Sequence, residues 1–77
     1  MEKIKIGENA GIVWRTLEEL GELSLFDLCR KSSLSFEDAT LAVGWLARED
    51  KISIHKVNDM LMINLIREQN AIVFAFG

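Results

Sequence analysis

Proline is absent from the 77-residue chain, and cysteine and histidine occur once each, as Cys29 and His55. No low-complexity linker or internal repeat divides the chain, so it reads as a single domain over residues 1–77. A lone cysteine cannot close an internal disulfide, which agrees with a reducing compartment. Nor can one cysteine and one histidine supply an ordinary structural zinc site. No apolar run approaches the ~20 residues that span a bilayer, and Met1-Glu-Lys-Ile-Lys-Ile6 lacks the apolar segment of a secretory signal. A cytoplasmic location with no membrane partner is the expectation. Positive charge is also short: 9 Lys and Arg face 12 Asp and Glu, a net charge of −3. A free-standing nucleic-acid-binding domain usually carries a basic balance or a basic face, so this deficit counts against DNA without excluding a local patch. A glycine-rich phosphate loop is missing, and no nucleophile, base and orienting group stand at a recognisable spacing. The chain is therefore expected to be no enzyme, with no catalytic residue, cofactor or metal.

What is present is the composition of a folded protein, 49% hydrophobic and 27% charged. A chain this short buries only ~60% of its unfolded surface, so its core is modest. Gly7-Glu8-Asn9 opens a first helix on which Ala10, Val13, Trp14, Leu17 and Leu20 form one apolar stripe. Gly21 stands where a helix C-terminal glycine belongs. Glu22-Leu23-Ser24 is short and extended at best. Ser24 then caps a second helix, with Asp27 three residues on as in a capping box, and Leu25, Leu28 and Cys29 share a face. Lys31-Ser-Ser-Leu34 reads as a turn. Ser35 caps a third helix, with Asp38 three residues on. Two short capped helices across a tight turn fit a helix-turn-helix. On the third helix, Phe36, Ala39, Ala42, Val43 and Leu46 gather on one side, opposite Glu37, Leu41, Gly44 and Arg48, with Thr40 and Trp45 on the flanks.

After Asp50-Lys51 the pattern changes to a hairpin. A two-residue loop at Asn58-Asp59 pairs Val57 with Met60, Lys56 with Leu61, Ile54 with Ile63 and Ile52 with Leu65. That register sorts Ile52, Ile54, Leu61, Ile63 and Leu65 onto one face. Ser53, His55, Val57, Met60, Met62 and Asn64 fall on the other, mixed face. Lys3-Ile-Lys-Ile6 alternates as a further short strand would. The apolar run Ala71-Ile-Val-Phe-Ala-Phe76, after a turn at Arg67–Asn70, reads as an extra strand within the chain or against a second chain. The fold class is α+β: a winged helix-turn-helix of three helices with a two-stranded wing, core 5–66 and tail 67–77.

The segments Gly7-Glu-Asn-Ala-Gly11 with Trp14, Ala42-Val-Gly-Trp-Leu-Ala-Arg-Glu49 and Lys51-Ile52 with the hairpin resemble a family of small bacterial winged helix-turn-helix proteins of unknown function. The resemblance spans roughly residues 5–66. It implies three helices and a β-wing, and it supplies neither a catalytic site nor a ligand.

Two readings of the third helix compete. In one it enters a major groove, with Glu37, Thr40, Leu41 and Gly44 near base edges. Phosphates would then be met by Arg30, Lys31, Arg48, Lys51 and Lys56. Yet residues 35–51 hold four acidic residues against two basic ones, a charge of −2. Phosphate contacts supply most nonspecific affinity, so a DNA partner is disfavoured. In the other reading the outer surface meets protein. Leu41 and Trp45 lie off the core stripe, Val57, Met60 and Met62 share the mixed wing face, and Phe74 and Phe76 end the chain. Contiguous apolar surface of this kind marks protein interfaces, here most simply a homodimer. This second reading is the lead: a non-enzymatic, protein-interaction or transcription-associated module. Cys29 reads as a small buried hydrophobe and His55 as a solvated side chain.

Overall fold

The computed structural model describes residues 2–66. It orders them as α1 (Glu2–Leu20), β1 (Leu23–Ser24), α2 (Leu25–Ser32), α3 (Phe36–Arg48), β2 (Ile52–Val57) and β3 (Met60–Leu65). In α1, Ala10, Val13 and Leu17 are buried as the stripe requires, and Trp14 packs against the core from its edge. Leu20, assigned to the same stripe, is exposed at the helix end. The helix also begins earlier than Gly7. Lys3–Ile6, expected to be a strand, is helical. Alternation over four residues fits either period, and Ile6 decides it: half-buried four residues before Ala10, it extends the helical stripe. Adding residues to an existing helix is favourable where nucleating a new element is not. Gly21 then ends the helix with φ +84°, and its N–H donates to the Leu17 carbonyl at 2.8 Å.

Both expected caps form. The Ser24 hydroxyl accepts from the Asp27 N–H, and the Ser35 hydroxyl from the Asp38 N–H, each at 3.1 Å. The Asp27 carboxylate turns to Arg30 at 3.4 Å. The ends of α2 and α3 close alike. After α2 the left-handed residue is Ser33, with Leu34 N–H reaching back to the Cys29 carbonyl; after α3 it is Asp50, with Lys51 N–H reaching Leu46. Ser35→Ala should cost about 1 kcal/mol in denaturant unfolding. A cost near zero would mean that water satisfies the Asp38 N–H equally well.

The wing has the register read from the sequence, from Val57↔Met60 at the tip to Ile52↔Leu65 at the root. Asn58 and Asp59 adopt φ 51° and 68°, positive at both central positions as a type I′ turn demands. A third strand exists, formed by Leu23–Ser24 pairing with Ile63 and Met62, so the sheet order is β1-β3-β2 with β3 central. The expected C-terminal strand at 71–76 lies outside the described residues.

The core gathers Ala10, Val13 and Leu17 of α1, Leu28 of α2, Ala42, Val43 and Leu46 of α3, and Ile52 and Ile63 of the sheet. Only the root of the wing joins it. Ile54 and Leu61 share the face of Ile63 but project past the helices and stay 42% and 38% exposed. Phe36, placed in the core from its spacing, is 60% exposed. It stands at the edge of the buried arc on the first residue of α3, where no element among the described residues covers the helix end.

Candidate binding surface on the third helix and wing

Four buried residues, Ala39, Ala42, Val43 and Leu46, fix the rotation of α3. At ~100° per residue, the direction opposite them is occupied by Glu37, Leu41, Gly44 and Arg48. All four are exposed, as are Thr40 and Trp45 on the flanks. Leu41 is 53% and Trp45 41% exposed, so both remain on the outer surface where the sequence put them. Gly44 leaves open space where a Cβ would stand. Together these make a shallow, apolar-centred strip with an acid near its start and an arginine at its end. The Thr40 hydroxyl donates to the Phe36 carbonyl at 2.7 Å, so its proton is already committed.

The basic candidates Arg30, Lys31, Arg48, Lys51 and Lys56 are all exposed. They do not form one cluster. Arg30 and Lys31 precede the turn into α3, whereas Arg48 stands twelve residues beyond Phe36, ~18 Å along the helix axis. Each group has acids beside it. Arg30 contacts Asp27, Arg48 and Lys51 bracket Glu49 and Asp50, and Glu37 and Asp38 occupy the first turn of α3. Those two carboxylates suit the positive helix terminus, and for the same reason they take the place a phosphate would use.

On the wing, Val57 and Met60 are exposed at the tip, as an interface requires. Met62 is only half-exposed, because it lies on the central strand between Ser24 and His55. Phe74 and Phe76 lie outside the described residues. His55 is exposed, as expected, and its Nε2 stands 3.7 Å from the equally exposed Glu22 carboxylate across the mixed face. Sequence reading missed Phe26, which is exposed on α2. Its place ~100° from Leu25 on the helical wheel was the available signal.

The chemistry of the remaining groups is quiet. Burial pushes the Cys29 thiol above its ordinary value, against a smaller lowering by a backbone hydrogen bond. That is the reverse of an activated nucleophile. Among the described residues, no three or more His, Cys, Asp or Glu side chains converge to hold a metal ion. None of their helices is long and apolar enough to cross a membrane. A depression of about 470 Å³ is lined, among the described residues, by Phe36, Glu37, Asp38, Thr40 and Leu41. It is open, and its polar groups come from one helix turn, unlike the converging groups of an enclosed ligand site.

Three helices with a β-wing behind a capped helix-turn-helix are now in place. The family described as Winged helix-turn-helix domain (DUF2582) matches residues 1–65. The chain belongs to that family. An uncharacterised protein of Methanocaldococcus jannaschii is 42% identical over 64 residues, covering 79% of this chain and 90% of its own. The solution NMR structure of protein BT2368 from Bacteroides thetaiotaomicron superposes with a TM-score of 0.80 at 43% identity, over all of this chain and 90% of that one. A more distant likeness, with a TM-score of 0.73 at 14% identity, is to Bordetella bronchiseptica BpsR, whose DNA binding is regulated by 6-hydroxynicotinic acid. It covers 87% of this chain but only 53% of BpsR. At that identity the likeness establishes the winged-helix fold alone.

Proposed function

We propose that this domain is a non-enzymatic cytoplasmic binding module, homodimeric, whose α3 and wing dock against protein where related folds meet DNA. The carrying observation is the exposure of Leu41 and Trp45 on the outer face of α3, beside Glu37. A large apolar side chain facing water at the centre of a presented surface gains most from a protein partner. A carboxylate near the same spot repels phosphate. On this reading Leu41 serves docking and not folding. Leu41→Lys should therefore leave the unfolding free energy within about 0.5 kcal/mol of wild type. A loss of several kcal/mol would mean that Leu41 completes the core.

A second reading, a sequence-specific DNA-binding regulator, draws support from the basic residues at both ends of α3 and at the wing, and from the fold shared with BpsR. Salt separates the two. For the protein-docking module, affinity for mixed-sequence duplex at physiological salt should be no tighter than about 0.1 mM, and Arg48→Ala should change it little. Micromolar binding that weakens steeply with salt and disappears on Arg48→Ala would establish the DNA reading instead.

A further inference from the structure

The outer face of α3 is complementary to itself when turned end for end. Its midline reads Glu37, Leu41, Gly44, Arg48, and all four residues are exposed. At ~100° per residue they fall within about 60° of one another. The acid and the arginine stand at opposite ends of the strip, with the leucine and the glycine between them. Both pairs share one midpoint, between positions 42 and 43, and so do the flanking residues Thr40 and Trp45. Neither Glu37 nor Arg48 has an ion-pair partner among the described residues. Leu41 is 53% and Trp45 41% exposed, so no described element packs on this face.

Two such helices laid antiparallel about a two-fold axis at that midpoint bring unlike groups level with each other. Glu37 of one copy stands opposite Arg48 of the second, and the axis repeats that pair at the other end. Leu41 stands level with Gly44 of the second copy, where the space a Cβ would take is open. The absent side chain lets the two backbones approach and leaves room for the leucine. The axis also keeps each flank with its own kind. Both Trp45 side chains come to one side, next to the two Leu41 side chains, and both Thr40 side chains to the other. A parallel pairing in register would instead set Glu37 against Glu37 and Arg48 against Arg48.

We infer that α3 of one copy packs antiparallel on α3 of a second copy, with Glu37 opposite Arg48 and Leu41 over Gly44. The contact is isologous, so two copies close the assembly. It deepens the homodimer reading above, on which it rests, by naming the surface and the register. The apolar centre supplies the affinity, and the exposed ion pairs fix the direction. One helix from each copy makes a small interface, of the class below ~1,200 Å² that associates weakly. The pairing occupies the face that a major groove would take, so dimer and duplex exclude each other on α3.

The test is sedimentation equilibrium on the full chain up to high micromolar concentration. Wild type should approach twice the 8.7 kDa chain mass. Arg48→Glu sets acid against acid at both ends and should weaken association at least about tenfold. Adding Glu37→Arg restores opposite charges and returns the net charge to −3, so the double variant should associate within about threefold of wild type. Gly44→Gln should give a monomer that melts no lower than wild type, because a glutamine favours the helix and its Cβ meets open space in the single chain. A wild-type chain that stays monomeric leaves the face to residues 67–77 or to another protein, and overturns the homodimer reading and this inference together. A dimer that Gly44→Gln and Arg48→Glu leave unchanged overturns the α3 pairing alone. Association lost in Arg48→Glu and not recovered in the double variant overturns the antiparallel register.

Discussion

Leu28→Ala should lower the unfolding free energy by about 3 kcal/mol and the melting temperature by roughly 12–24 °C. Leu28 is fully buried and is the one residue of α2 that is. An eight-residue helix has no stability of its own in water. Its Ser24 cap contributes about 1 kcal/mol, and the Arg30–Asp27 contact is largely solvent-exposed and adds little. What holds α2 against α1, α3 and β3 is therefore chiefly this side chain. Truncating it removes apolar contact and leaves a void, and the tight connections on both sides of α2 restrict the collapse that would fill it. Thermal melts by circular dichroism read the effect directly. Leu41→Lys on α3 is the internal comparison and should melt close to wild type. If both variants melt alike, the division between a buried and a presented helix face is wrong.

The parts of this fold that were legible in the sequence are those set by local chemistry. Ser24 and Ser35 stand three residues before acids at the starts of short helices, and both cap. Asn58-Asp59 fixed the hairpin register because only a loop placed there sorts both strands by face. The apolar periodicity of α3 located Leu41 and Trp45 outside correctly. What escaped depended on distant partners. Leu23–Ser24 is too short to announce itself and becomes a strand only because β3 lies beside it. Lys3–Ile6 alternates like a strand, yet it continues a helix whose stripe begins four residues later. Phe36 has core spacing but lies exposed at a helix end, and Glu22 meets His55 only once the sheet is assembled. The candidate basic residues were identifiable by type. Their dispersal and the acids interleaved with them became clear only when the helices were placed.

Charge reversal on α3 is the strongest test of the division between its shape and its chemistry. Glu37→Lys with Glu49→Lys should turn the domain into a measurable nonspecific DNA binder. The pair changes the charge of residues 35–51 from −2 to +2 and that of the whole chain from −3 to +1. Glu37 lies on the outer midline of α3, and Glu49 follows its last residue beside Arg48. If the helix fits a major groove, two new phosphate contacts form. The slope of log affinity against log salt should then steepen by about 1.8, since each contact contributes ~0.9. Affinity gained at 50 mM salt should thus exceed that gained at 200 mM by about tenfold. The fold should tolerate both changes. A lysine at the C-terminal end of α3 is favourable to the helix dipole, and one in the first turn costs under about 1 kcal/mol. A steeper slope means that the winged-helix shape still fits DNA and that the native carboxylates hold it away, which leaves Leu41 and Trp45 free for protein. An unchanged slope means that α3 does not reach a groove in any orientation. In that case the DNA-binding reading fails on geometry, before charge is considered.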